Sequence, residues 1–283
     1  MVKLLFYYRF TMNCMKKITL EKEKETLLIP LYGKALESRK SSPVLHDPTA
    51  VEIIEKINYD FASLKIPGKT NFMMCLRAKL FDNFTLDFLA SHTDTVVFHL
   101  GCGLDSRYKR INNSCVDWYD IDFEEVINIR KLFYQQTGSY HMIGSSVTRQ
   151  EWIEEIPVGA ENYLVIAEGL FMYLKEEEIK SLLISLKKKI GSYKLIFDAY
   201  STYTAKKVKN HPSLKKTGAT IRWGLDHPHT LSEWDPGILF IDQILFTSNE
   251  ELGKLNRSTR LIYRFAHLFP MARNAQRILI YDV

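Results

Sequence analysis

The apolar positions of the chain change their period once, near residue 93. Upstream they recur at helical spacing. Leu27, Leu28, Leu31 and Leu36 form one face within 15–40, "TAVEIIEKI" follows, and Met73, Leu76, Leu80, Phe84 and Phe88 stripe the long segment "FMMCLRAKLFDNFTLDFLASH". The stretches between them, "SRKSSPVLHDPTA" and "LKIPGKTN", are broken by proline and glycine and read as loops. From Thr95 onward short β-branched runs alternate with helical ones. "TVVFHL", "CVDWYDID", "YHMIGSS", "NYLVIAEG" and "YKLIFDAYS" predict strands. "DSRYKRI", "FEEVINIRKLFYQQ", "RQEWIEEI" and "KEEEIKSLLISLKKKIG" predict the intervening helices, the last closed by Gly191 as its C-cap. Such βα alternation implies a mostly parallel sheet with helices on both faces. Two further β runs, "GILFIDQILF" and "QRILIYDV", lack a crossover helix before the terminus, which predicts an antiparallel end to the sheet.

This pattern divides the chain. Residues 15–92 predict a helical N-terminal cap or lid, and 93–283 an α/β domain carrying an insert at 203–235. The insert, "HPSLKKTGATIRWGLDHPHTLSEW" at its heart, has no period, and a loop of that length in a compact domain is expected to be functional or a lid. Residues 1–14 read as an extension from an upstream start codon, because "MKKITLEKEKETLL" from Met15 has the look of a natural beginning.

Composition narrows the function classes. The 283 residues are 46% hydrophobic and 25% charged with a formal net charge of +5, ordinary for a globular protein. Lysine clusters such as "SLKKK" are expected on solvated helix faces, with no basic stripe interleaved with stacking aromatics, so nucleic acid is not an expected partner. No apolar run reaches the length that spans a bilayer, so no membrane partner is expected. The cysteines Cys14, Cys75, Cys102 and Cys115 are widely spaced, which argues against a disulfide framework or a metal site and for a reducing, cytoplasmic setting.

Candidate chemistry sits at the carboxyl ends of the predicted strands, where open parallel sheets bind ligands. The first ends in Gly101-Cys102-Gly103, a plain turn or a close approach to a cofactor; Ser106 stands where a dinucleotide fingerprint places a third glycine. The second ends in Asp120-Ile121-Asp122. A carboxylate there can accept ribose hydroxyls, with Asp122 first and Asp120 second, although Asp122 with Glu125 three residues on also suits a helix cap. The fourth runs into Glu168-Gly169, a glutamate costly to bury unpaired, placed either for a cationic ligand or for a lysine. Tyr173, Tyr200, His211, His227 and His229 are acceptor-side candidates, and Trp223 and Trp234 serve equally as a pocket roof or as core.

Taken in order, "LHDPTA", "CLRAKLFD", "HLGCGLDSRYKRI", "WYDIDFEEVINIRK" and "AEGLFMYL" resemble the leucine carboxyl methyltransferase family, including its bacterial O-methyltransferase branch of the tetracenomycin polyketide-synthesis type. The resemblance implies a class I, Rossmann-like methyltransferase fold, whose sheet has seven strands, mostly parallel with an antiparallel terminal strand, and S-adenosylmethionine as methyl donor. It implies Arg77 on the methionine carboxylate, Gly101, Cys102 and Gly103 beneath the cofactor, Asp122 on the ribose, and Glu168-Gly169 beside it. Many members carry Asp-Leu after the third strand for the adenine edge; here Ser145-Ser146-Val147 stands in that place, so Ser146 and Val147 take the role by position. The expected activity is O-methyl transfer to a carboxylate or hydroxyl of a small molecule, with a protein C-terminal carboxylate as the less favoured acceptor. A nicotinamide-dependent oxidoreductase on a similar sheet, or a non-catalytic protein retaining the cleft, are the rivals.

Overall fold

The computed structural model describes residues 25–113, 115–208 and 220–283. The expected extension 1–14, the first part of the expected cap and His211 therefore lie outside the described residues. A single sheet of seven strands organises the chain in the order β3-β2-β1-β4-β5-β7-β6. β1 (Thr95–Leu100), β2 (Val116–Asp122), β3 (Tyr140–Gly144), β4 (Asn162–Ala167) and β5 (Lys194–Tyr200) pair in parallel. β7 (Gln276–Asp282) slots between β5 and β6 (Leu239–Leu245) and runs antiparallel to both. The central strands are covered on both faces, which is why they read as unbroken apolar runs; all six residues of β1 are buried.

Alternation along each strand sorts the side chains into two hydrophobic layers. Val97, Trp118, Tyr140, Leu164, Ile166 and Ile196 face one side. There they meet α1 (Glu25–Ser38), α2 (Pro48–Lys56) and α3 (Gly68–Ser91) through Leu28, Leu31, Ile53, Leu76 and Phe81. Phe98, Val165, Phe197, Leu279 and Tyr281 face the other side, against Ile179, Leu182, Leu183 and Leu186 of α7 (Glu176–Ile190). Three glutamates open α7 and three lysines close it, complementing the helix dipole, and Gly191 ends it at φ +77° as expected. The described N-terminal helices share one core with the sheet instead of forming a separate apolar body.

Of the two accounts open for Trp223 and Trp234, the core account fits the described part of the insert: Trp223, Leu225 and Leu231 belong to the second hydrophobic layer, and Trp223 stands 6.3 Å from the Trp234 ring across a core contact. α8 (Thr202–Val208) leaves β5 directly, and a short helix forms at Thr230–Trp234. The connection between β6 and β7 also holds an unforeseen helix, Arg257–His267, started by Asn256, whose side chain accepts from the Thr259 N–H at 2.9 Å.

Candidate active site

The mouth of β1 turns through Gly101 (φ +63°) and Gly103 (φ +52°), a conformation that favours glycine at both places. The Gly101 N–H donates to the Ile121 carbonyl at 2.8 Å and the Gly103 N–H to Asp122 Oδ2 at 2.7 Å, so the turn is latched to the end of β2. Leu27 of α1 lies over it, within 3.7 Å of where a Cβ on Gly103 would stand. Asp122 also accepts from the Phe123 N–H at 2.7 Å, and burial raises its carboxyl above the ordinary value against these bonds. Each of its oxygens keeps a further lone pair for a ligand hydroxyl. The cap expected at Asp122 falls instead on Phe123, which heads α5 (Glu124–Arg130) without a side-chain cap bond. Phe123, singled out by nothing in the sequence, is 58% exposed at this mouth.

Asp120, the second ribose candidate, is corrected. One pleat deeper than Asp122 and fully buried, it takes the Trp118 indole N–H at 2.9 Å, His99 Nδ1 at 3.0 Å, the Tyr140 hydroxyl at 2.6 Å and an Arg130 guanidinium N–H. Arg107 can only donate, and its Nη1 lies 2.9 Å from His99 Nε2, so the His99 proton is on Nδ1 and faces Asp120. Burial keeps that imidazole neutral. Arg130 Nη1 reaches back to the Gly103 carbonyl at 3.0 Å, tying this hub to the glycine turn. Asp120 is thus saturated by the protein itself.

Arg77, on α3, points at the mouths of β4 and β5. Its Nε donates to Glu168 Oε1 and its Nη1 to Asp198 Oδ2, each at 2.9 Å. Asp198 also accepts from the Gly169 N–H at 2.6 Å and from Gln276 Nε2 at 3.0 Å. Gly169 sits at φ +65° against the guanidinium, with Nη2 only 3.0 Å from where a Cβ would be. Glu168 pairs through Oε2 with Arg107, so its partners are two arginines and not the lysine considered above. Through Asp82, Asp105 and Asp47 the contacts continue to Arg110 and Lys34. This connected cluster has four cations (Lys34, Arg77, Arg107, Arg110) and five carboxylates (Asp47, Asp82, Asp105, Glu168, Asp198), a net negative charge.

Burial would raise the carboxyls of Glu168 and Asp120, but Arg107 and Arg77 hold the first down to about 2, and Arg130 and His99 hold the second down to about 2. Their folded values lie below the ordinary ones, so their contribution to stability is complete above those ordinary values and is lost as pH falls toward 2. The expected outcome is a urea midpoint that drops steeply below about pH 4, and a flat midpoint across that window would contradict it.

The other expected site residues divide. Cys102 offers only its backbone, since its thiol is core and burial pushes its pKa well up. Val147 is packed in the second layer, with its carbonyl on the Trp152 indole at 3.2 Å, and Ser146 Oγ lies 2.9 Å from Thr148 Oγ1. Tyr200 lines a cavity of about 390 Å³ with Arg77, Lys69, Thr70, Met73, Tyr263 and Gln276. Burial pushes its phenol to about 12, and Tyr173 is raised for the same reason. His227 and His229 lie outside this cavity, the His229 ring instead meeting Phe240 edge-on at 5.3 Å. Asp198, Arg107, His99 and Lys34 were not foreseen; the carboxylate inside the apolar run "LIFDAY" was the available signal for Asp198.

The leucine carboxyl methyltransferase family profile matches residues 28–187. The chain belongs to that family. It is 35% identical over 258 residues to the tetracenomycin polyketide synthesis O-methyltransferase TcmP of Streptomyces glaucescens, covering 91% of this chain and 95% of that one. The S-adenosyl-L-methionine-dependent methyltransferase dpfgK of Gibberella zeae is 27% identical over 81% of this chain and 84% of its own. Among solved structures, magnesium protoporphyrin IX methyltransferase from Synechocystis matches 78% of this chain and 91% of its own at TM-score 0.47 and 12% identity. The protein is a methyltransferase that uses S-adenosylmethionine, and the sheet order, with β7 antiparallel between β5 and β6, is that of the class I fold. No described helix is long and apolar enough to cross a membrane.

Proposed function

We propose that the chain transfers the methyl group to an ionised oxygen, a carboxylate or acidic phenol, of a small molecule held in the cavity that Tyr200, Tyr263 and Gln276 line beside Arg77. The observation that carries this reading is the Arg77 node. A guanidinium clasped by two buried carboxylates keeps Nη2 without a hydrogen-bonding partner among the described residues, at the edge of a cluster with one more carboxylate than cation. S-adenosylmethionine fits such a place, having one carboxylate for the guanidinium and a net positive charge for the cluster. Bound there, it would supply an electrophilic methyl group on a sulfonium.

The chain's own residues have distinct tasks in this reading. Gly101 and Gly103 leave the backbone low enough to lie beneath the donor, Asp122 accepts the ribose hydroxyls, and Phe123 offers an exposed ring beside the adenine. Glu168 and Asp198 fix the fork of Arg77, so the fork is preorganised before a ligand arrives. Ser146 and Val147 offer the adenine edge backbone N–H groups and the Ser146 hydroxyl in place of a carboxylate, the Val147 carbonyl being taken by the Trp152 indole. α1 and α3, which bring Lys34 and Arg77 to the strand mouths, serve as the cap of the site.

Displacement at a methyl carbon requires an in-line oxygen, and alignment supplies much of the acceleration. Tyr173 and Tyr200 keep their protons at neutral pH, which suits an acceptor that arrives already ionised and needs no base. The role this reading gives Tyr200 is to donate a hydrogen bond. TcmP, an O-methyltransferase of polyketide synthesis by name, supports the choice of oxygen and of a small molecule over a protein terminus.

Calorimetry with S-adenosylhomocysteine and NAD tests the donor site: binding of the first and not the second is expected. Asp122→Ala is expected to weaken S-adenosylhomocysteine about 10- to 100-fold, the worth of hydrogen bonds to a charged group. An unchanged affinity would remove Asp122 from the site.

A further inference from the structure

The helix Arg257–His267 and the residues after it carry a surface that the methyl-transfer site does not use. Leu261, Phe265 and Leu268 recur at helical spacing, with Ile262, Phe269 and Met271 beside them, and all six are exposed, from 51% at Phe269 to 68% at Leu268. The Phe265 and Phe269 rings stand together, 5.2 Å between centroids. Thr259 and Tyr263 occupy the inward side of the same helix, so the outward apolar stripe is an addition to what the core needs. Monomeric proteins seldom leave a contiguous apolar patch of this kind uncovered.

The charges that the segment itself carries are of one sign. Between Glu251 and Asp282 the sequence contains no acidic residue. Arg257, Arg260 and Arg264 follow one another at helical spacing on the neighbouring face, Arg273 lies beyond the stripe, and exposed Lys206 and Lys207 flank Tyr203 across an apolar groove. None of these four arginines pairs with a carboxylate among the described residues. A helix with bulky apolar residues on one side, arginines on the next and no acids is built to lie in the plane of a membrane surface, apolar side into the acyl boundary and cations at the headgroups.

We infer that this face, from Arg257 to Arg273 with the Tyr203 rim, docks the enzyme on an anionic phospholipid bilayer. The charge complementarity selects the lipid: the arginines along one side and beyond the stripe, with the lysines across the groove, repel a second copy of the same patch, whereas an anionic headgroup layer satisfies all of them at once. Exposure of the side chains distinguishes the patch from an acceptor pocket, which would enclose most of its ligand. The proposal is independent of the acceptor's identity and of the residues around Arg77.

Sedimentation of the full chain with vesicles tests it. Phosphatidylcholine vesicles containing about one-third phosphatidylserine are expected to bind the protein, pure phosphatidylcholine much less, and binding is expected to fall with added salt. Arg264→Gln is expected to lower the partition coefficient about fivefold, the weight of one cation near such a surface. Phe265→Asp is expected to abolish binding while S-adenosylhomocysteine affinity and the thermal midpoint hold. No binding to the anionic vesicles at low salt would overturn the proposal. So would binding unaffected by Phe265→Asp, or a concentration-dependent dimer in the ultracentrifuge that Phe265→Asp dissolves in place of any vesicle binding.

Discussion

Arg77→Ala is expected both to abolish measurable cofactor binding and to destabilise the fold, and the second effect is visible only in three dimensions. In the structure its side chain is 17% exposed and wedged between Glu168 and Asp198, which are 7% and 0% exposed. Truncation leaves two buried carboxylates short of a counter-ion in a cluster already rich in negative charge. Breaking a buried pair from one side costs about 3–5 kcal/mol, and the bonds that Asp198 retains from Gly169 and Gln276, and Glu168 from Arg107, place the expected loss at about 3 kcal/mol. Urea unfolding reads that loss directly. Arg77→Lys separates the two roles: a charge is kept, so most of the stability is kept, but a single ammonium cannot engage both carboxylates and a ligand as the fork does. A lysine variant that binds S-adenosylhomocysteine normally would show that Arg77 holds the site together without touching the cofactor.

Asp120→Ala is expected to be still more costly to the fold. The carboxylate serves four donors from three strands and a helix, and one of them, Arg130, is itself fully buried. Removing it strands a buried guanidinium, an indole N–H and the phenol of Tyr140 together, so an unfolding free-energy loss of at least about 4 kcal/mol is expected. Asp120→Asn retains acceptor capacity without the charge and is expected to recover part of that loss. Because Arg130 also holds the Gly103 carbonyl, a folded Asp120 variant should bind S-adenosylhomocysteine less well although Asp120 never meets it. If Asp120→Ala unfolds at the wild-type urea concentration, the hub is not a structural centre.

The sheet could be read from the chain because its central strands are buried on both faces, and burial writes continuous apolar runs between turn signals. The long α7 was equally plain, with acids at its start, lysines at its end and Gly191 beyond. The helix at Arg257–His267 was missed although Asn256 and Thr259 mark its start, because its apolar stripe lies exposed and is not the face that the core takes. Trp223 could not be assigned from sequence, since an indole over a pocket and an indole in a core have the same local pattern.

The candidate site divides in the same way. Gly101 and Gly103 announce themselves, because positive φ at a strand's end selects glycine wherever it occurs. Family, cofactor and reaction type followed from short motifs in order, each local to one helix or one strand end. The roles of the charged residues did not. Asp120 and Asp122 differ by one pleat, and only the third dimension shows that Arg130, Tyr140, Trp118 and His99 converge on the first and leave lone pairs on the second. The clasp on Arg77 joins residues 91 and 121 positions apart in the chain. What sequence determines by itself is whatever a residue's near neighbours enforce: period, turn and cap. Partnership between buried charges acts through space over a few ångströms, and only the tertiary structure decides which distant residues come that close.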